Sequence, residues 1–410
     1  MTTRELHVRV RGELAGVLRV DADGRMGFTY DAAWLALPHA FALSASLPLG
    51  DETFGEAAHR FFANLLPEGG LRESVCRAAG LSVDNDFGLL CVLGEDCAGA
   101  LQVVDPTLSH ARSGRYVPIS QEQLAQWNEK HNALASLVAH GEARLSLAGA
   151  QDKLPVYVDD KGTVCLATGG APSSHLIKFG SARFAHLPEN EVVTTQLAHA
   201  LGLPTVDVTL HHAGVSVMCL VRRYDRTRDG DVLQRLHQED FCQALGLSSH
   251  TKYEAEGGPT FAQCTEVVRR RSVEPMVDAE HLLRWQIFNA IAGNCDGHAK
   301  NLSLLYGDGA RLAPFYDLVC TRAYAELSPK LAMSVGDQRD PGVLRHKHWE
   351  KLASTIGVRP SYVIERVGEM SAMLREHGPE VITQLEETAG IKVGIAASLR
   401  KVWRKLARGT

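Results

Sequence analysis

Near residue 238 the chain changes its period, and that change restricts the folds open to it. Before this point most apolar residues recur at every second position in short runs. After it they recur at every third or fourth position in long ones. Period two belongs to strands with one buried face, and period 3.6 belongs to amphipathic helices. A sheet-bearing half followed by a helical half predicts an α+β architecture rather than alternating βαβ units. With 410 residues, two or three packed units are expected.

The first unit is read over 1–105. Leu6, Val8 and Val10, then Met26, Phe28 and Tyr30, alternate with polar neighbours around an Asp23-Gly24 turn, which predicts antiparallel strands. Residues 57–66 carry Phe61, Phe62, Leu65 and Leu66 and run into Pro67-Glu68-Gly69-Gly70, a helix with its stop signal. Residues 105–140 are a polar passage with one short helical stretch. A sheet-rich unit follows at 140–237, with strands expected at 154–158, 175–179, 206–211 and 215–221 and a helix at 191–201. Residues 238–410 form the helical unit, with helices expected at 239–245, 261–270, 281–291 and several from 349 onward.

Composition excludes some function classes. With 45% hydrophobic and 22% charged residues the chain has ordinary globular usage, and a net charge of −5 argues against a protein built to coat nucleic acid. The nine cysteines include no C-x-x-C pair, so neither a zinc knuckle nor a disulfide framework is suggested. No apolar run of membrane-spanning length or signal-peptide core is present, and a cytoplasmic protein with no membrane partner is expected.

The chemistry concentrates in Asn294-Cys295-Asp296-Gly297-His298-Ala299-Lys300-Asn301, with Phe315-Tyr316-Asp317 downstream. Asp-Gly and Asn are also ordinary turn residues. Here, however, an apolar helix (Leu282, Leu283, Ile287, Phe288, Ile291) feeds the first segment and a short apolar segment feeds the second, so both acids sit at the ends of rigid elements. Phosphoryl transfer from ATP needs hard oxygen ligands for Mg²⁺ and a carboxylate beside the attacking hydroxyl. An Asp-x4-Asn arrangement followed by Asp supplies both: Asp296 as the catalytic base, Asn301 and Asp317 as metal ligands. Lys178, in an apolar strand, is the candidate cation for the ATP phosphates, with Glu191 as its supporting ion pair. Taken alone, Lys178 reads better as an exposed strand lysine. The small residues of 145–153 could bring backbone N–H groups to a triphosphate, although on their own an ordinary turn is the default explanation.

Together these segments resemble the HipA family of bacterial kinase toxins. The resemblance runs through Phe61-Phe62-Ala63-Asn64-Leu65-Leu66-Pro67, the Ser-x-Ala-Gly-Ala-Gln-x-Lys loop at 146–153, and His-x-Ile-Lys at 175–178. It continues through Arg223-Tyr224-Asp225-Arg226, Gln238-Glu239-Asp240, Lys252-Tyr253-Glu254, Gly257-Gly258-Pro259, the 296–301 segment and Pro314-Phe315-Tyr316-Asp317. It implies a two-lobed fold similar to protein and phosphoinositide kinases with an added N-terminal subdomain. ATP would lie between the lobes, near Ala148, Gly149, Ala150, Gln151, Lys153, Lys178, Val221, Arg222, Arg223, Tyr224, Asp225, His298, Lys300 and Asn301.

The resemblance also implies autophosphorylation at Ser146, which would eject the phosphate loop and switch the enzyme off. A phosphoserine there would compete with ATP phosphates for the same cations. Implied partners are a helix-turn-helix antitoxin of HipB type, operator DNA through that antitoxin, and a translation protein as substrate, of aminoacyl-tRNA synthetase type. Two departures stand out: Arg222 where family hinges often carry an acid, and Asp152 where glutamate is frequent.

Ile395, Leu399, Val402 and Leu406 outline a basic amphipathic C-terminal helix, suited to core packing or to DNA in an antitoxin complex. His211-His212 and His346-x-His348 lack a third metal ligand and read as surface or loop histidines. Two rival functions share these parts: a small-molecule or lipid kinase, and a catalytically silent corepressor acting with a DNA-binding antitoxin.

Overall fold

The computed structural model describes residues 4–107, 114–141, 149, 151–230, 232–390 and 392–408. Strands β1 (Glu5–Val10), β2 (Glu13–Val20), β3 (Met26–Tyr30) and β4 (Leu101–Val104) form an antiparallel sheet in the order β3-β2-β1-β4. Leu6, Val8 and Val10 are buried on one face, as period two requires. Helix Glu56–Ala63 covers that face and brings the Phe62 ring to 5.6 Å from Phe28.

The second sheet contains β5 (Arg115–Pro118), β6 (Lys153–Val158), β7 (Val164–Thr168), β8 (His175–Lys178), β9 (Val208–Ala213) and β10 (Ser216–Arg222), in the order β5-β7-β6-β8-β10-β9. It starts at Arg115, inside the stretch read as a passage, because β5 pairs with β7. Successive residues of β10 enter different cores. Met218 packs with the N-terminal sheet and with helices Gln121–Lys130 and Ala133–Ala139, whereas Cys219 packs with helix Leu187–Ala200 and the helical lobe. The N-terminal unit and one face of this sheet therefore share a continuous core, from Leu6 and Phe62 through Ile177 to Met218.

A hairpin of β11 (Arg226–Asp229) and β12 (Val232–Arg235) leads to β13 (His237–Asp240), which pairs with β14 (Ser303–Gly307), itself paired with β15 (Gly309–Leu312). The helix expected at 239–245 is corrected by this pairing. Glu239 lies opposite Leu304 in the ladder, and the helix is only Phe241–Ala244, started by a reciprocal Asp240/Gln243 cap.

The helical lobe is built on Phe261–Arg271, Pro275–Ala292, His346–Thr355, Pro360–Ala389 and Ala396–Leu406. The last of these buries Leu399, Trp403 and Leu406 and leaves Arg400, Lys401, Arg404 and Lys405 exposed. The Trp403 indole donates to the Ala292 carbonyl at 3.2 Å, satisfying an end carbonyl of the helix that leads into the 294–301 segment. Among the described residues no helix is long and apolar enough to cross a membrane.

Candidate active site

Helix Pro275–Ala292 buries Trp285, Ile287, Phe288 and Ile291 and ends at Gly293, whose φ of 77° gives the left-handed cap that glycine accepts without strain. The chain then turns back through amide bonds. The Asn294 side chain accepts from the Asp296 N–H at 3.1 Å and donates to Asn289 at 3.0 Å, while the Asn301 amide donates to the Asp296 carbonyl at 2.9 Å. Asp296 is thus gripped by its own backbone. Its Oδ1 accepts a hydrogen bond from the Tyr253 hydroxyl at 2.5 Å.

Asp317 follows buried Phe315, whose ring stacks on Trp285 at 5.9 Å and whose N–H donates to Pro204 at 2.8 Å. Its φ of 58° is left-handed, an uncommon state outside glycine that concentrates at functional positions. Lys178 meets it from β8: the ammonium lies 2.7 Å from Asp317 Oδ1 and 2.5 Å from Glu191 Oε1. Glu191 is 1% exposed and Lys178 5%, whereas the Asp317 side chain, 38% exposed, opens toward the cleft.

The electrostatics follow from this geometry. Burial alone would drive the Asp317 carboxyl up, but the ammoniums of Lys178 and Lys153 outweigh it and hold the group well below the usual carboxylate range. Burial opposes the charge of Lys178, yet Asp317 and Glu191 keep its ammonium more firmly protonated than an ordinary lysine. Burial pushes the Glu191 carboxyl up against the pull of Lys178. Lys153 is pulled down to about 8, by burial and by the neighbouring Lys178.

Lys153, Lys178 and Asp317 line a cleft of about 700 Å³ between the six-stranded sheet and the helical lobe, with Glu191 buried behind them. Lys153, Lys178, Val221, Arg222, Tyr224, Asp296, His298, Asn301 and Asp317 all border it. Gly149 has a φ of 118°, a backbone conformation that favours glycine, and it lies beside the Lys153 ammonium. Gln151 donates to the Phe179 carbonyl at 2.9 Å, and Asp152 caps helix Ala133–Ala139 through the Ala133 N–H at 2.8 Å. Ser146, Ala148 and Ala150 lie outside the described residues.

Arg223, Asp225 and Lys300 also border the cleft, and their side chains are bonded within the protein. Arg223 and Asp225 are buried and bonded to each other at 2.8 and 2.9 Å, and Asp96 of the N-terminal unit joins them to Arg226 and Arg235. The backbone N–H groups of Arg222 and Arg223 already donate to Asp207 and Ser174. The Lys300 ammonium turns away from the metal-ligand candidates, to the Asn64 carbonyl and side chain at 2.8 Å and to Asp240 at 3.1 Å. His298 lies in the cleft wall with a buried Nδ1 that has no protein partner, and burial depresses its pKa.

Sequence reasoning assigned no role to Tyr253, Asn64, Glu68 or Asp96. Asn64 and Tyr253 stand only within family motifs and Glu68 within a helix stop signal, and no spacing rule connects residue 64 with residue 300. The Arg222 departure is accounted for by exposure: its side chain points outward to Asp207 at 3.5 Å.

Residues 6–104 match the HipA N-terminal domain, and residues 145–377 match the HipA-like C-terminal domain. The chain belongs to the HipA family. Y4mE of Sinorhizobium fredii, which carries a kinase name, is 39% identical over 97% of this chain and 95% of its own. The serine/threonine-protein kinase toxin HipA of Shewanella oneidensis is 30% identical over 84% of this chain and 82% of its own. In the solved complex of Shewanella oneidensis HipA, HipB and operator DNA, one chain superposes with a TM-score of 0.85 at 27% identity, covering 98% of this chain and 97% of that one. The fold is thus that of HipA, α+β throughout, and the enzyme class is serine/threonine-protein kinase.

Proposed function

We propose that this HipA-family enzyme is an ATP- and Mg²⁺-dependent kinase toxin of a toxin–antitoxin module that phosphorylates serine or threonine on a protein of the translation apparatus. The observation that carries the reading is the convergence of Lys178, Asp296, Asn301 and Asp317 on one cleft, with Lys178 already ion-paired to Glu191. Lys178 and Lys153 supply positive charge for the phosphates of ATP, and Asp296 takes the proton from the acceptor hydroxyl.

The donors fit magnesium. Asp317 and Asn301 offer hard oxygens at the cleft wall, and among the described residues no cluster of three or more His, Cys, Asp or Glu forms an all-protein metal cage. Mg²⁺ commonly binds through one or two protein oxygens, taking the rest from phosphate and water. When bound, it would neutralise charge developing on the transferred phosphoryl group.

A HipB-type antitoxin and operator DNA are proposed as partners because the structural relative was solved with both. An aminoacyl-tRNA synthetase is the proposed substrate and Ser146 the proposed self-limiting phosphosite, both on family resemblance. The test is incubation of wild type and Asp296→Asn with γ-labelled ATP and Mg²⁺, with and without bacterial lysate, followed by mass-spectrometric mapping. Wild-type-only labelling of Ser146 and of one translation protein is expected. Label confined to lipids or metabolites overturns the protein-kinase reading, and no label in a folded, unphosphorylated, antitoxin-free sample overturns the enzymatic one.

A further inference from the structure

The Tyr253 hydroxyl stands 2.5 Å from Asp296 Oδ1 and donates to it, the same bond that an acceptor hydroxyl has to make with a catalytic base. We infer that Tyr253 is a built-in occupant of the acceptor position, keeping water from Asp296 until a serine or threonine hydroxyl displaces it. The inference rests on the proposed kinase reading, in which Asp296 is the base.

The tyrosine is held there by contacts that do not involve Asp296. Its predecessor Lys252 is paired to Glu68 at 2.6 Å, and the Lys252 carbonyl accepts from the Ala299 N–H. Its successor Glu254 accepts from the N–H and hydroxyl of Ser334 at 2.5 and 2.7 Å. Gly258 closes the turn by donating to the Tyr253 carbonyl at 2.9 Å, where a Cβ would collide with the Thr251 and Tyr253 carbonyls at 2.4 and 2.7 Å. The Tyr253 ring meets His298 edge-on at 5.0 Å.

Pinned on both sides, the phenol reaches the carboxylate because the loop places it there. It is nevertheless only half-buried and borders the cleft, so an arriving substrate can push it aside. Burial and the Asp296 carboxylate raise its pKa, so it remains a donor and keeps its proton.

Without such an occupant, water is the default acceptor. A water oxygen bonds to the γ-phosphorus, the bond between that phosphorus and the bridging oxygen breaks with its electron pair leaving on ADP, and the water proton passes to Asp296. The products are phosphate and ADP, and nothing has been phosphorylated.

The experiment measures ADP release from Mg-ATP without any protein acceptor, in wild type, Tyr253→Phe, Glu254→Gln and the double variant Tyr253→Phe/Asp296→Asn. Phenylalanine keeps the ring against His298, and a thermal melt verifies folding. The phenol is a donor to a charged group, so its loss should raise ADP release about tenfold, with the KM for ATP unchanged. Glu254→Gln, which loosens the anchor but keeps the hydroxyl, should give a smaller rise. The double variant should abolish the gain.

Unchanged ADP release in Tyr253→Phe overturns the inference, as does a rise that survives in the double variant. Phosphotyrosine at 253 in the wild type also overturns it, since the residue would then be a substrate. A wild type that neither releases ADP nor labels any protein defeats the kinase reading itself, a result distinct from all of these.

Discussion

Lys178 and Asp317, 139 residues apart in sequence, are joined across the cleft by an ion pair of 2.7 Å. The pair sets the cation for the phosphates directly against a proposed metal ligand. A nucleotide carrying Mg²⁺ offers each partner a better counter-charge, so binding has to exchange this contact for two others.

Replacing Lys178 with methionine should abolish phosphotransfer and leave Glu191 buried without its cation. Breaking one side of such a pair costs about 3–5 kcal/mol. The double variant Lys178→Met/Glu191→Gln should recover most of that stability and none of the activity, as read from denaturant titration beside labelled-ATP transfer. A fully stable single variant would contradict the buried pairing.

Asp317→Asn should fold normally, because asparagine tolerates the left-handed backbone at this position. Its activity should fall about 100-fold or more through loss of charge on the metal side. Asp317→Val should lose stability as well, since a β-branched residue is strained at that φ. Circular dichroism melts of the two variants separate the effects.

ATP affinity should weaken as pH rises through about 8, where Lys153 gives up its proton in the free enzyme. The sign follows from its depressed pKa. Between about 8 and the ordinary lysine value the unfolded chain holds a proton that the native state lacks, so the contribution of this residue to stability rises with pH while its attraction for phosphate disappears. Dissociation constants measured from pH 7 to 9.5 should climb in wild type and stay flatter in Lys153→Gln. Parallel curves would exclude Lys153 from phosphate binding.

Lys300→Met separates scaffold from ligand contact. Its ammonium is bound to Asn64, Asp240 and Glu68, so the substitution should cost about 3–5 kcal/mol of stability. The KM for ATP of the surviving folded enzyme should change by less than threefold. A large KM change at full stability would instead mark Lys300 as a nucleotide contact.

The period change near 238 and the alternation in β1 and β3 made the α+β plan legible, because each of these strands has a pattern set by one buried face. Val164–Thr168 escaped notice since Val164, Cys165, Leu166 and Ala167 are all buried, which erases the alternation. The strand at Glu239 and Asp240 was hidden by adjacent helix-start chemistry. At the site, Asp296, Asn301 and Asp317 were readable from spacing, and they do meet in one cleft. The Asn64–Lys300 contact was not readable because it depends on how two units dock, and the Tyr253–Asp296 contact because the two lie 43 residues apart in the helical unit, which has to fold to bring them together.

The core shared by the N-terminal sheet and β10 bears on how the protein is made. Leu6 leaves the ribosome more than 200 residues ahead of Met218, which packs in the same core. At about 5–20 residues per second, the first strands wait roughly 10 to 40 seconds for their last packing partner. During that interval Phe28, Phe61 and Phe62 belong to an incomplete nucleus, which makes chaperone occupancy and translation speed determinants of how much active enzyme a cell obtains.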